Sequence, residues 1–146
     1  MSKLTGEECV TRYGAASAAQ DVPTLTALRH PDWSVTWPQS GETVHSNQAF
    51  AEIIANYPGG APTIEITRTV GAEDRWVLTA GNTMMRVAGS GDFWWSESRV
   101  SYPNGEQYVV IGLIELRDGL VHRETMYWAA PFEAPDWRAP WVEREG

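Results

Sequence analysis

The chain has 146 residues and a mass of 16.2 kDa, long enough for one domain with a single core and too short for two ordinary ones. Hydrophobic residues make up 42% and charged residues 21%, the composition of a soluble globular protein, and no apolar run reaches the length of a membrane span. Nineteen acids against eleven bases leave a net charge of −8, which argues against nucleic acid or an anionic membrane as partner.

The opening, Met1-Ser2-Lys3-Leu4-Thr5-Gly6, has no apolar signal region, so a cytoplasmic location is expected. Thr5 and Glu8 make a capping-box pattern at the start of a first helix, with Cys9, Val10, Tyr13, Ala16 and Ala19 near helical spacing. The lone Cys9 has no disulfide partner and is read as a small buried hydrophobe. Asp21 caps a second helix with Pro23 in its first turn and Leu25 and Leu28 facing inward; His30-Pro31 ends it. Trp33-Ser34-Val35-Thr36-Trp37 alternates as a short strand, with Trp33, Val35 and Trp37 on one face. Pro38 to Gly41 is a turn. Ser46 or Asn47 then caps a third helix, where Phe50, Ile53, Ile54 and Tyr57 form an apolar stripe that Pro58-Gly59-Gly60 stops.

Strands are predicted over 63–72, 75–87, 93–102, 107–117 and 121–128. Between them lie Glu73-Asp74, Gly89-Ser90-Gly91, Asn104-Gly105 and Asp118-Gly119, the last two being strong hairpin signals. The tail, at about 131–146, is rich in Pro and Trp and reads as extended. Helices followed by a run of strands predict a single α+β domain over 1–146. Eight Trp in so short a chain point to an aromatic-lined cavity, a subunit interface, or both.

Two-residue loops at Asn104-Gly105 and Asp118-Gly119 would place Arg99 opposite Val110, Glu97 opposite Gly112, and Gly112 opposite Thr125. One face would then carry Trp95, Glu97, Arg99, Tyr108, Gly112, Arg123 and Tyr127. The other would carry Trp94, Val100, Val109, Ile111, Leu113, Met126 and Trp128. The first face gathers charged groups around a glycine hollow and is the expected pocket side; the second suits a homodimer interface. A bulge in either hairpin would invert part of this assignment. Glu124 is the misfit on the second face and needs a partner such as His122 or Arg138.

With these elements in order, the chain resembles the nuclear transport factor 2-like superfamily, in its SnoaL-like branch. The resemblance rests on Trp37-Pro38-Gln39-Ser40-Gly41-Glu42, on Asn56-Tyr57-Pro58-Gly59-Gly60, and on the stretch from Tyr127-Trp128-Ala129-Ala130-Pro131 to Trp141. Arg117-Asp118-Gly119-Leu120-Val121 is similar to an Asp-Gly turn common across the superfamily. The resemblance implies N-terminal helices packed on a strongly curved antiparallel or mixed sheet, forming a cone around a pocket, and often a dimer built on the sheet. Limonene-epoxide-hydrolase-like members carry Arg-x-Asp on a central strand; Arg99-Val100-Ser101 keeps the arginine and lacks the aspartate. An aspartate that related cyclases place after the last strand's Tyr-aromatic pair is Ala129 here.

The expected function is therefore a small-molecule pocket, favoured as an enzyme that needs no cofactor. It would move protons on a hydrophobic cyclic or aromatic substrate, by isomerisation, cyclisation, dehydration or epoxide opening. Glu97 would carry the proton, while Arg99 and Tyr127 hold developing negative charge. Tyr13, Trp33, Trp37, Trp95, Tyr108, Gly112 and Arg123 would line the pocket. The competing reading of Glu97 is a structural ion pair with Arg99 or Arg123, in a protein that binds without catalysis. His30, His45 and His122 have no metal-ligand spacing, so no metal is expected.

Overall fold

Thr5 and Glu8 close the capping box that starts the chain's first helix, as a computed structural model shows. The Thr5 hydroxyl accepts from the Glu8 amide at 3.1 Å and Glu8 Oε2 accepts from the Thr5 amide at 2.9 Å. The structure describes residues 4–71, 75–78, 84–87 and 91–144. The capped helix is α1 (Gly6–Ala19), which ends at Gln20 in the left-handed region. Asp21 caps α2 (Val22–Leu28) through the Thr24 amide, and α2 ends where His30-Pro31 forbids its continuation. Strand β1 (Arg29–Trp37) starts four residues before the predicted Trp33, and a short β2 (Glu42–Val44), not foreseen, folds back on it. Ser46 caps α3 (Asn47–Ala55).

The remaining strands are β3 (Thr63–Gly71), β4 (Arg75–Leu78), β5 (Met84–Val87), β6 (Phe93–Ser101), β7 (Gln107–Arg117) and β8 (Leu120–Ala129). The single strand expected over 75–87 is in fact β4 paired antiparallel with β5; that run contains Gly81-Asn82, a turn dipeptide the strand reading passed over. The Glu73-Asp74 and Gly89-Ser90 breaks lie outside the described residues. The tail is not wholly extended: Asp136–Trp141 forms a 3-10 turn.

The main sheet has six strands in the order β2-β1-β8-β7-β6-β3, antiparallel except for the parallel pair β1–β8. It is open, and the helices cover one face. Trp33, Val35, Val121 and Cys9 are fully shut from water between sheet and helices, with Val10, Leu25, Leu28 and Ile114 around them. Cys9 is the buried hydrophobe its sequence context predicts, and burial pushes its thiol up.

Two backbone irregularities decide which side chains face the helices. Between β6 and β7, the Gly105 amide donates to the Tyr102 carbonyl at 2.9 Å, and the Tyr102 amide donates to the Glu106 carbonyl at 2.8 Å. Pro103 and Asn104 are thus the centre of a turn and Gly105 follows at φ 92°, a three-residue loop with a glycine bulge. Ser101 consequently pairs with Gln107, and Glu97 with Ile111. Between β7 and β8, Asp118 and Gly119 do make the expected two-residue turn, with φ 55° and 78°. The register then slips by one: Leu116 pairs with Val121 but Glu115 with Arg123, so His122 is an extra residue. Each irregularity reverses the facing of the strand beside β7. The two-residue reading of Asn104-Gly105 and the pairings built on it are corrected accordingly.

The bulge glycine gives a direct check. A Cβ on Gly105 would meet nothing within 4 Å, so Gly105→Ala isolates the cost of the left-handed backbone. It is expected to destabilise by about 1–2 kcal/mol in urea denaturation, and Gly105→Asn by clearly less.

Candidate functional site

The helices and the concave sheet face enclose a cavity of about 760 Å³, within the range of small-molecule sites. Its walls are mainly apolar: Val10 and Leu25 from the first two helices, Phe50 and Ile53 from α3, Ile64 and Met126 from the sheet. The apolar stripe of α3 thus faces the cavity, as its 3.6-residue spacing demands.

The slipped registers turn a different carboxylate inward. Glu124 is directly opposite Ile114 on β7 and Val35 on β1, and it is 9% exposed. Its Oε2 accepts from the Tyr13 hydroxyl at 2.7 Å and from the Trp33 indole nitrogen at 2.8 Å. Its Oε1 takes no hydrogen bond among the described residues, and Glu124 lines the cavity. Tyr13 comes from α1, where the capping box fixes the helix start and therefore which residues face the sheet. Its hydroxyl also accepts from Arg29 Nε at 2.6 Å. Burial, followed by the negative charge of Glu124, raises the Tyr13 phenol well above its usual range, so it remains a donor.

Arg29 is 6% exposed and lines the same cavity. Its guanidinium lies 3.7 Å from the Trp33 ring centroid and 4.5 Å from that of Phe50, in the corner between two perpendicular rings. Nη1 donates to Asn47 Oδ1 at 2.9 Å, at the first residue of α3. Arg29, Tyr13 and Glu124 therefore form a chain in which the phenol links guanidinium to carboxylate, with N–H groups of Arg29 left over.

A second polar cluster occupies the cavity end formed by the β6–β7 hairpin. Tyr57 donates to the Tyr102 hydroxyl at 2.7 Å with the rings stacked 5.0 Å apart. Tyr102 meets Tyr108 edge to face at 86°, and Tyr108 meets Trp128 at 80°. Tyr108 donates to Glu106 Oε2 at 3.0 Å, which raises the Tyr108 phenol. Gln39 bonds both the amide and the carbonyl of Trp128, and so holds the turn after β1 against the end of β8.

Of the residues expected to line the pocket, Tyr13, Trp37 and Tyr108 lie on the cavity wall. Trp33 lies behind it, bonded to Glu124. Gly112 faces the helix side, but its neighbour is Ser96, whose Oγ would sit 3.0 Å from a Cβ there, and not Glu97. Glu97, Arg99, Trp95, Arg123 and Tyr127 are on the outer face, because each belongs to a strand that a bulge has reversed. Arg123 lines a shallow polar hollow there with Arg117 and His122. The residues set aside for the interface, Val100, Met126 and Trp128, line the cavity instead. Glu124 and Arg29 were not foreseen as site residues. The signals were Pro103 before Asn104-Gly105, which favours a turn beginning one residue earlier, and the acid Glu124 on an otherwise apolar face.

Among the described residues, no group of three or more His, Cys, Asp or Glu is placed to hold a metal ion, and no helix is long and apolar enough to cross a membrane.

Helices over one face of a curved, open six-stranded sheet define the cone-shaped α+β class of nuclear transport factor 2-like proteins. Within it the chain belongs to the SnoaL-like family, whose domain profile matches residues 10–124. No curated protein matches the sequence. Among solved structures it is similar to a nuclear transport factor 2-like protein of unknown function from Burkholderia xenovorans LB400, with 28% identity, TM-score 0.68, and 97% of this chain and 95% of that one covered. It is also similar to a putative ketosteroid isomerase from Kribbella flavida DSM 17836, with 20% identity, TM-score 0.73, and coverage of 99% and 93%. An epoxide hydrolase of the limonene-epoxide-hydrolase-like type from M. tuberculosis shares 15% identity, with TM-score 0.58 and coverage of 84% and 81%. At these identities the last two show the common fold.

Proposed function

We propose that this protein is a cofactor-independent enzyme that moves a proton on a hydrophobic cyclic small molecule, with Glu124 as the acid–base group. The observation that carries the reading is a carboxylate held through one oxygen by two donors, with its other oxygen left for an apolar cavity. Such fixation positions a base without consuming it. In the simplest reaction, Oε1 takes a proton from the carbon between a carbonyl and a carbon–carbon double bond. The C–H electron pair moves toward the carbonyl to give a dienolate. The resulting carboxylic acid then returns the proton to the far carbon of the original double bond, and the double bond moves into conjugation with the re-formed carbonyl. Arg29, in the same wall, supplies positive charge and unused N–H groups toward the enolate oxygen. Similarity of fold to a putative ketosteroid isomerase supports this class of chemistry as an analogy.

A second reading is a non-catalytic binding protein. It is favoured by Tyr13 and Trp33 tying Glu124 to α1 and β1, which would suit a purely structural network. Proton exchange separates the two without knowledge of the natural substrate. Cyclic ketones of graded size are incubated with the protein in D2O and followed by NMR. An enzyme exchanges the hydrogens next to the carbonyl of those ketones that bind; binding with no exchange above buffer would leave the non-catalytic reading.

The same chain is proposed to form a homodimer through the outer sheet face. Val109, Ile111, Leu113 and Tyr127 lie there, while Phe132, Trp137 and Trp141 of the tail are 82%, 74% and 78% exposed. Exposed apolar surface of this kind calls for cover. Light scattering at micromolar concentration should return twice the chain mass; a value near 16.2 kDa would remove the dimer.

A further inference from the structure

The tyrosine cluster at the hairpin end of the cavity has no part in the chemistry proposed for Glu124. Its rings are arranged in series: Tyr102, Tyr108 and Trp128 meet in succession at 86° and 80°. Tyr57 stacks on one side of Tyr102, and the three rings line this end of the cavity as the walls of a box with electron-rich faces. Glu106 adds a carboxylate at the same place, hydrogen-bonded to Tyr108, and Glu42 also lines the cavity. Arg29 is the single cation among the lining residues described, and it is engaged with Tyr13, Asn47 and two aromatic rings at the other pole. Among the described lining residues, Glu106 therefore faces no competing cation across the box. Glu124 and Trp128 are four positions apart on β8, roughly 13 Å along a strand. The wall between the two poles holds Met126, beside Ser96 and Ser98 on the neighbouring part of the sheet.

We infer that the box of Tyr102, Tyr108 and Trp128, with Glu106, receives an ammonium group, so that the ligand carries a cationic amine at one end of a hydrophobic cyclic body. The inference rests on the reading of the cavity as a small-molecule site and names the class of molecule it takes. The amine sits at the hairpin end, on electron-rich ring faces, and the apolar body extends toward Glu124. An anionic head group would meet carboxylate and ring faces there and be excluded.

The test uses choline and its neutral carbon isostere, dimethylbutanol, titrated separately into the full chain by calorimetry at fixed ionic strength. Choline is expected to bind at least about fivefold more tightly than the isostere, the scale of a cation on aromatic faces. Tyr108→Leu should erase that preference, and Trp128→Leu should do the same, while Glu106→Gln should reduce it. Glu124→Gln should retain it, because the ammonium site lies at the opposite pole; this separates the inference from the proton-transfer reading. Equal or tighter binding of the isostere, no saturable choline binding, or a preference that survives Tyr108→Leu would each overturn the inference. So would a preference lost in Glu124→Gln alone. Tyr108 lies at the exposed end of the cluster, so Tyr108→Leu and the wild-type comparison decide the matter even where Trp128→Leu fails to fold.

Discussion

Replacing Glu124 with glutamine should lower the rate of exchange into a bound ketone by about a hundred- to ten-thousandfold, the usual contribution of a positioned acid–base group. The amide has the same shape, and its oxygen still accepts from the Tyr13 hydroxyl and the Trp33 indole. What it loses is the ability to take up and return a proton at the position now held by Oε1. Ketone affinity should change little, so the loss should fall on the chemical step and not on binding. Glu97→Gln is the contrasting variant. Glu97 lies on the outer face, opposite Ile111, and its replacement should leave exchange unaltered. An unchanged rate in Glu124→Gln, with ligand still bound, would take Glu124 out of the mechanism; loss in Glu97→Gln would return the site to the outer face.

The largest effect on stability is expected at Arg29. Arg29→Met should cost about 3–5 kcal/mol in urea denaturation, the scale for removing one charge from a buried network, here one bridged by the Tyr13 phenol. The methionine fills much of the slot between Trp33 and Phe50, so packing alone does not account for the loss. The cost arises because Tyr13 loses the donor at 2.6 Å and Glu124 is left buried without a compensating charge. Arg29→Lys should recover only part of it, since an ammonium neither stacks as a plane nor offers the Nε and Nη1 donors together. Combining Arg29→Met with Glu124→Gln should cost less than the sum of the two, because the second change removes the charge the first exposes. A loss below about 1 kcal/mol for Arg29→Met, or strict additivity of the pair, would mean that the three groups do not act as one network.

Most secondary structure was legible from local chemistry. The capping box at Thr5 and Glu8, the Asp21 cap and the Ser46 cap each appear where hydroxyl or carboxylate side chains precede apolar periodicity. Asp118-Gly119 makes the turn its dipeptide demands. The order of elements, and with it the cone-shaped α+β class, follows from these local signals together with motifs such as Asn56-Tyr57-Pro58-Gly59-Gly60. Facing is another matter. Strand side chains alternate with period two, so one extra residue exchanges the buried set for the exposed one. Pro103 moves the β6–β7 turn back by one residue, and that alone carries Glu97 and Arg99 away from the cavity.

The extra residue at His122 has no local signature comparable to a turn dipeptide. It turns Glu124 inward and Arg123 and Tyr127 outward. Arg29 depends still more on tertiary structure. In sequence it is a residue at a helix end before His30-Pro31, while its partners Tyr13, Asn47 and Phe50 arrive from two other helices. Local sequence sets the elements and their order, because these depend on neighbours along the chain. Which acid and which guanidinium share the cavity was decided only in three dimensions, by two bulges whose effect is a parity and not a propensity.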